Sequence, residues 1–263
     1  SRRGYNEFII NSAGRTLEDC VIAIAQMVRA GSFRPKLSEV SFGKAGDVQQ
    51  TLGNYELFLA DKQVLSLDGK IDRLDFADVG GGKITLVFDY KRRDKSFNWS
   101  EFFHGLDIQL PIYMLAVRNA ADMEIRNVVG AFYMPIEISP KKAAIGDLPD
   151  GNDSFDYKAK GIFNGDFFRQ LDRSDSNKFY NFFVTRKGDQ YGYDGISGAL
   201  RPGVFETVLR FTEHKIIQLA QEIVSGKINV SPYRLSRVSP CSYCKYKPVC
   251  RFDWQINDYN FLE

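Results

Sequence analysis

The stretch Ile84-Thr85-Leu86-Val87-Phe88 runs apolar without alternation and stops abruptly at Asp89-Tyr90-Lys91. A β-strand of that kind has to be covered on both faces, so it belongs in the interior of a sheet that lies between helices. Just before it, Val79-Gly80-Gly81-Gly82-Lys83 has the composition of a hairpin turn, which makes a strand over 64–72 its neighbour. Shorter β-rich segments lie at 37–42 and 55–60. After the lysine the period changes. A helix is predicted over 99–119, with Phe102, Leu106, Gln109, Tyr113 and Leu115 near one face, and 126–134 returns as a buried strand. Hairpin, crossover helix and strand in that order predict an α/β or α+β domain, a mixed β-sheet flanked by helices.

The remaining chain fits around such a sheet. Leu17, Val21, Ile24 and Val28 recur at helical spacing and predict an amphipathic helix over 5–30, with Cys20 a buried thiol on or beside its apolar stripe. Residues 138–160 are rich in Lys, Asp, Gly and Asn and read as a surface insertion. A short helix near 165–172, a strand near 179–185 and a long helix over 203–226 follow. Val208, Phe211, Ile216, Leu219 and Ile223 supply the apolar face of that last helix. The 263 residues suffice for one large core, here 1–230, with a small appendage, 231–263. The chain opens at Ser1 in what reads as the approach to a helix, as part of something longer. No apolar run approaches a membrane span and no signal segment is visible. The 35 basic residues are nearly balanced by 33 acidic ones, so any nucleic-acid contact has to come from local patches.

The chemistry is concentrated at the end of the apolar strand. Side chains alternate along a strand, so Asp89 and Lys91 share a face, and Asp72 lies on the preceding strand within pairing distance of it. Two converging carboxylates call for a cation, and hard oxygen ligands favour Mg²⁺ or Mn²⁺. Such an ion would activate water for phosphodiester hydrolysis, with Lys91 orienting that water or steadying the charge that develops on phosphorus. An aspartate two residues before a lysine is a weak pattern alone, equally readable as solvated carboxylates beside a lysine. The context is wider. Gly69-Lys70-Ile71-Asp72-Arg73-Leu74-Asp75 precedes it, and Gly105 to Tyr113 follows, placing Gln109 and Tyr113 one helical turn apart. The order G-x-I-D-R-x-D, D-Y-K, G-x-x-x-Q-L-x-x-Y resembles the RecB family of PD-(D/E)XK nucleases.

The resemblance implies a restriction-endonuclease-like core. Asp72, Asp89 and the backbone carbonyl of Tyr90 would hold metal, Lys91 would be catalytic, and Gln109 and Tyr113 would line the site. Asp75 is read as structural, paired with Arg73. Members usually carry a metal-binding histidine on a helix before the first strand. Here His104 and His214 both follow the lysine; Glu39 begins the first strand, where related carboxylates can approach the metals.

Cys241, Cys244 and Cys250 crowd into ten residues, which suggests metal ligation in a reducing, cytoplasmic setting. No second pair follows to complete a zinc ribbon, and three thiolates needing a distant fourth fit an iron–sulfur cluster better. The segment resembles the C-terminal 4Fe-4S staple of AddB-type subunits of bacterial helicase–nucleases. That implies DNA as substrate, an AddA-like helicase–nuclease partner, no membrane, and exonuclease action in double-strand break repair and recombination. Cys20 is not expected to be the fourth ligand. A catalytically silent DNA-binding module and a zinc-binding interaction domain stand as alternatives. The basic runs Lys91-Arg92-Arg93-x-Lys95 and Arg234 to Arg251 read either as phosphate contacts or as solvated faces.

Overall fold

A computed structural model describes residues 2–43, 51–138, 156–174, 178–183 and 197–263. Among them a six-stranded mixed sheet is flanked on both faces by helices. In chain order the principal elements are α1 (Arg2–Ala30), β1 (Arg34–Phe42), β2 (Tyr55–Phe58), β3 (Val64–Leu67), β4 (Gly69–Val79) and β5 (Gly82–Lys91). Then come α2 (Trp99–Phe103), α3 (Gln109–Arg118), β6 (Val128–Pro135), β7 (Lys160–Asn164), α4 (Phe168–Leu171), β8 (Ala199–Leu200) and α5 (Pro202–Val224). The C-terminal segment carries β9 (Tyr233–Leu235), α6 (Lys247–Cys250) and β10 (Asn260–Leu262). The sheet order is β1-β4-β5-β6-β7-β8, while β2 with β3 and β9 with β10 form separate pairs.

The apolar strand occupies the centre. β5 pairs antiparallel with β4 and parallel with β6, and from Ile84 to Phe88 every side chain is buried. Its alternate residues feed two cores. Val87, with Ala131 and Tyr133 of β6, packs under Leu110, Met114 and Val117 of α3 and Phe205, Val208 and Ile216 of α5. Leu86 and Phe88, with Phe132 and Met134, face Met27 of α1, Phe33 and Leu171. That is the two-sided burial a parallel pair demands. No helix among the described residues is long and apolar enough to cross a membrane.

Several expected boundaries move. The helix foreseen over 99–119 is two helices, because Gly105, at φ +80°, ends α2 as a Schellman cap. Gly105 N–H donates to the Phe102 carbonyl (2.9 Å) and Leu106 N–H to that of Glu101 (2.7 Å), and Leu106 is left exposed instead of facing the core. The single strand over 64–72 divides into β3 and β4. On α1 the buried side chains are Cys20, Ala23 and Met27, while Leu17 and Val21 point to solvent. On α5, Leu219 and Ile223 are likewise exposed. Residues 139–155 of the expected insertion lie outside the described residues; its last residue, Lys160, opens strand β7. Near 180 there is only a bridge, Tyr180 to Ala159, and 184–185 are not among the described residues.

β6 and β7 approach so closely that a Cβ on Gly161 would lie 2.0 Å from the Ala131 carbonyl oxygen. Gly161→Ala is therefore expected to cost about 2–3 kcal/mol through forced backbone displacement. Gly14, in mid-helix with open space around it, should gain about 0.5–1 kcal/mol as alanine. Urea denaturation of the two variants measures both, and equal effects would contradict this packing.

Candidate active site

The antiparallel ladder between β4 and β5 runs from Val79↔Gly82 to Arg73↔Phe88 and ends there. The next two residues along, Asp72 and Asp89, stand opposite one another where the strands part. Asp72 Oδ2 accepts the Tyr90 N–H at 2.7 Å, so a carboxylate takes the amide that would otherwise seek a strand carbonyl. β4 meanwhile continues against β1 through Ile71, Lys70 and Gly69. In a strand the N–H and C=O of one residue leave on the same edge, so the Tyr90 carbonyl is directed to the same gap.

Lys91 and Asp89 share a face, as period-two alternation requires, and α3 closes over them. Gln109, at the first turn of α3, is the hub. Its Nε2 donates to Asp89 Oδ1 and to the Tyr113 hydroxyl, each at 2.9 Å, and its Oε1 accepts from Lys91 Nζ at 2.9 Å. A carboxylate on one side and an ammonium on the other leave only one orientation of the amide. Lys91 Nζ also sits 2.6 Å from Asp89 Oδ2, but off the axis of a hydrogen bond, so this buried oxygen has a charge partner and no aligned donor. Burial raises the Asp89 carboxyl above its ordinary value; Lys91 opposes the rise and the neighbouring Asp72 charge adds to it. Burial also raises the Tyr113 phenol, which stays protonated, and its ring meets Phe42 edge-on at 6.0 Å. Beside this cluster a cleft of about 360 Å³ is lined by Phe42, Gly69, Lys95, Ile108, Gln109 and Tyr113.

Two opposed carboxylates, one with a buried oxygen lacking an aligned donor, and a carbonyl aimed at the same gap make an all-oxygen donor set. It suits a hard divalent cation. Among the described residues no three His, Cys, Asp or Glu side chains gather as ligands, so the two acids would need the carbonyl, water or substrate to complete a shell. Glu39 does not supply a third carboxylate; it is exposed and ion-paired with Lys70. His104 ends α2, its Nε2 2.9 Å from the Glu263 backbone oxygen, and His214 is exposed on α5.

The opposite face carries the pair expected between Arg73 and Asp75. Arg73 Nε and Nη2 donate to the two Asp75 oxygens at 2.7 and 3.1 Å, and Nη1 donates to the Tyr90 hydroxyl at 2.6 Å. The guanidinium carbon lies 4.0 Å from the Phe88 ring centroid. Burial opposes the Arg73 charge, but Asp75 and Tyr90 outweigh it and raise its pKa. Two residues next to the site escaped sequence reasoning. Tyr133, directly across from Asp89 on β6, donates through its hydroxyl to buried Asp107 Oδ1 at 2.7 Å. The one available signal was an acid two positions before Gln109.

Cys241, Cys244 and Cys250 are free thiols at least partly exposed around the Pro240–Ser242 turn and α6, and among the described residues they are not brought together as a ligand group. Cys20 is buried, its Sγ 3.8 Å from the Pro135 carbonyl oxygen. Burial raises its pKa, as an inert core thiol requires.

The fold, the paired acids and the lysine define a PD-(D/E)XK nuclease domain, and the family model for the PD-(D/E)XK nuclease superfamily matches residues 5–251. The chain belongs to that superfamily. Its relatives include large proteins named as subunits of an ATP-dependent helicase/deoxyribonuclease. The one from Thermoanaerobacter sp. (strain X514) is 27% identical over 98% of this chain and 23% of the relative. The one from Clostridium botulinum (strain Loch Maree / Type A3) is 29% identical over 97% of the chain and 23% of its own length. That of Desulforamulus reducens is 28% identical over 96% and 22%. The chain thus spans less than a quarter of the curated relatives it matches.

The raised Asp89 carboxyl gives a pH prediction. A carboxyl whose folded pKa is raised contributes stability that is present below its unfolded value and lost as pH rises through the folded one. In metal-free buffer, Asp89→Asn should therefore melt higher than the parent at neutral pH, with the difference vanishing below about pH 4. A variant that melts lower at neutral pH would contradict the burial cost assigned to Asp89.

Proposed function

We propose that this chain is the nuclease module of a helicase–nuclease subunit, a Mg²⁺- or Mn²⁺-dependent DNA exonuclease that works in double-strand break processing for recombination. The observation that carries the reading is the cluster of Asp72, Asp89 and Lys91 around Gln109 at the point where the β4–β5 ladder ends. Asp72, Asp89 and the Tyr90 carbonyl would hold the metal, which supplies an activated water and a charge partner for the phosphate oxygens. Lys91 has three donors, one committed to Gln109 and one side facing Asp89, which leaves it able to present charge to a phosphate. Gln109 fixes that lysine, and Tyr113 fixes Gln109. The sequence shows no base-reading motif, and cleavage without regard to base sequence is the expectation. The relatives' names, which join helicase and deoxyribonuclease, support a module that works on DNA beside a helicase; an AddA-like partner and a cytoplasmic setting are the finer part of the proposal.

Residues 231–263 form the second part of this reading. Cys241, Cys244 and Cys250 are soft thiolate donors suited to a 4Fe-4S cluster, with the fourth thiolate supplied by a longer parent protein and not by buried Cys20. Anaerobic loading of the full-length protein should yield four irons and a broad visible absorption, both lost in Cys244→Ser. Stoichiometric zinc instead would favour a zinc-binding interaction domain.

A catalytically silent DNA-binding module is the second reading, favoured by the absence of a third carboxylate or histidine at the acids among the described residues. Cleavage of linear DNA with Mn²⁺ separates the two. Asp89→Ala and Lys91→Ala should each lower the rate by about 10²–10³-fold or more, and Gln109→Ala by about 10–100-fold. Undiminished cleavage by both of the first two variants, with melting temperatures near the parent's, would sink the site.

A further inference from the structure

The basic run after the catalytic strand is continuous in sequence but divided in space. Arg92 and Arg93 are exposed, and Arg92 pairs with Glu137 at 2.9 Å. Lys95 is different. Its Nζ donates to Asp107 Oδ1 and to the Tyr133 hydroxyl, each at 3.0 Å, and lies 4.2 Å from the centroid of the Tyr133 ring. Both partners are buried, Asp107 at 3% exposure and Tyr133 at 0%, and Asp107 also accepts the Asn98 N–H at 3.3 Å. Lys91 Nζ lies 5.4 Å from the centroid of the same ring. The two ammonium groups therefore share one aromatic platform, each with its own buried carboxylate.

An ammonium has three donors. Lys95 commits two of them to buried partners, yet 37% of its side chain stays exposed, and it lines the cleft shared with Gln109 and Tyr113. A lysine present only to neutralise Asp107 gains nothing from that exposure. A lysine present only for solubility gains nothing from two buried anchors. A fixed cation with a donor turned to a cleft beside a phosphodiester site is suited to hold a phosphate.

We propose that Lys95 is a second phosphate-binding group. It takes a non-bridging oxygen of the backbone phosphate next to the one engaged at Asp72, Asp89 and Lys91, and so sets the register of the nucleic-acid strand. Asp107 and Tyr133 act through Lys95 as positioning residues. The inference rests on the nuclease reading above.

The test uses the full chain in EDTA, so that binding is measured without cleavage. A fluorescein-labelled single-stranded oligodeoxynucleotide is titrated by anisotropy over a series of KCl concentrations. Lys95→Gln should bind about tenfold more weakly at low salt, the loss of one charge-assisted contact. Its plot of log affinity against log salt should be shallower by about 0.7, the value of one phosphate on a single strand. Lys95→Arg should restore both. If Lys95→Gln leaves Asp107 uncompensated and the protein unfolds, Lys95→Gln combined with Asp107→Asn removes the stranded charge and should give the same change in slope. An unchanged slope in a folded variant overturns the inference and leaves the nuclease reading intact. A parent chain with no affinity for DNA at any salt, in EDTA and with Ca²⁺ in place of Mg²⁺ alike, overturns both.

Discussion

Asp72 accepts a backbone amide that the end of a β-ladder leaves without a strand partner, and the site is arranged around that one bond. The ladder of β4 and β5 stops at Arg73↔Phe88, and a half-buried N–H cannot be left without an acceptor. By taking the Tyr90 amide, Asp72 is tied to the backbone of the strand that carries Asp89 and Lys91. The spacing of the two acids is thus set by main chain, not by flexible side chains. On its other edge β4 is paired with β1 from Gly69 to Phe76, and that pairing carries the sheet past the site.

Tyr90 is held from the other face as well. Its hydroxyl accepts from Arg73, which is anchored in turn by both oxygens of Asp75 and by the face of Phe88. A buried ion pair of this kind contributes little net stability compared with apolar side chains of the same size. What it supplies is position. The peptide between Asp89 and Lys91 is gripped at its amide by Asp72 and at its ring by Arg73, so the strand cannot twist without breaking a charged contact on one face. This accounts for why an arginine and a second acid accompany the first aspartate in the sequence, although neither faces the site.

The centre of this arrangement could be read from sequence because it follows from strand periodicity. Asp89 and Lys91 had to share a face, and the glycine-rich turn at 80–82 had to bring Asp72 alongside. Gln109 and Tyr113 lay one helical turn apart wherever the helix began. The periphery could not be read in the same way. Gly105 carried the signal of a helix end, but apolar residues on both sides of it disguised the break. On α1 apolar residues occupy two stripes, and periodicity alone does not say which docks; the smaller side chains of Cys20 and Ala23 pack while Leu17 and Val21 remain outside. β8 has two residues, too few for any pattern. The contacts of Asp107 with Tyr133 and Lys95 join residues 26 and 12 positions apart, which no local spacing encodes.

The electrostatics of the cluster follow from the burial of Asp89. A lone carboxylate at 3% exposure is costly, and Lys91 only partly relieves it, since burial still raises the Asp89 carboxyl. A fully satisfied salt bridge would leave Lys91 unable to serve a phosphate and Asp89 unable to accept a cation. Gln109 touches both groups. Its amide donates to one oxygen of Asp89 and accepts from Lys91, holding lysine and carboxylate in contact but off the axis of a direct hydrogen bond. A neutral residue able to donate and accept at once is required there. A glutamate would repel Asp89, and a lysine would repel Lys91. On the nuclease reading proposed above, an amide at this position would hold both charged groups in place for chemistry without adding a charge of its own.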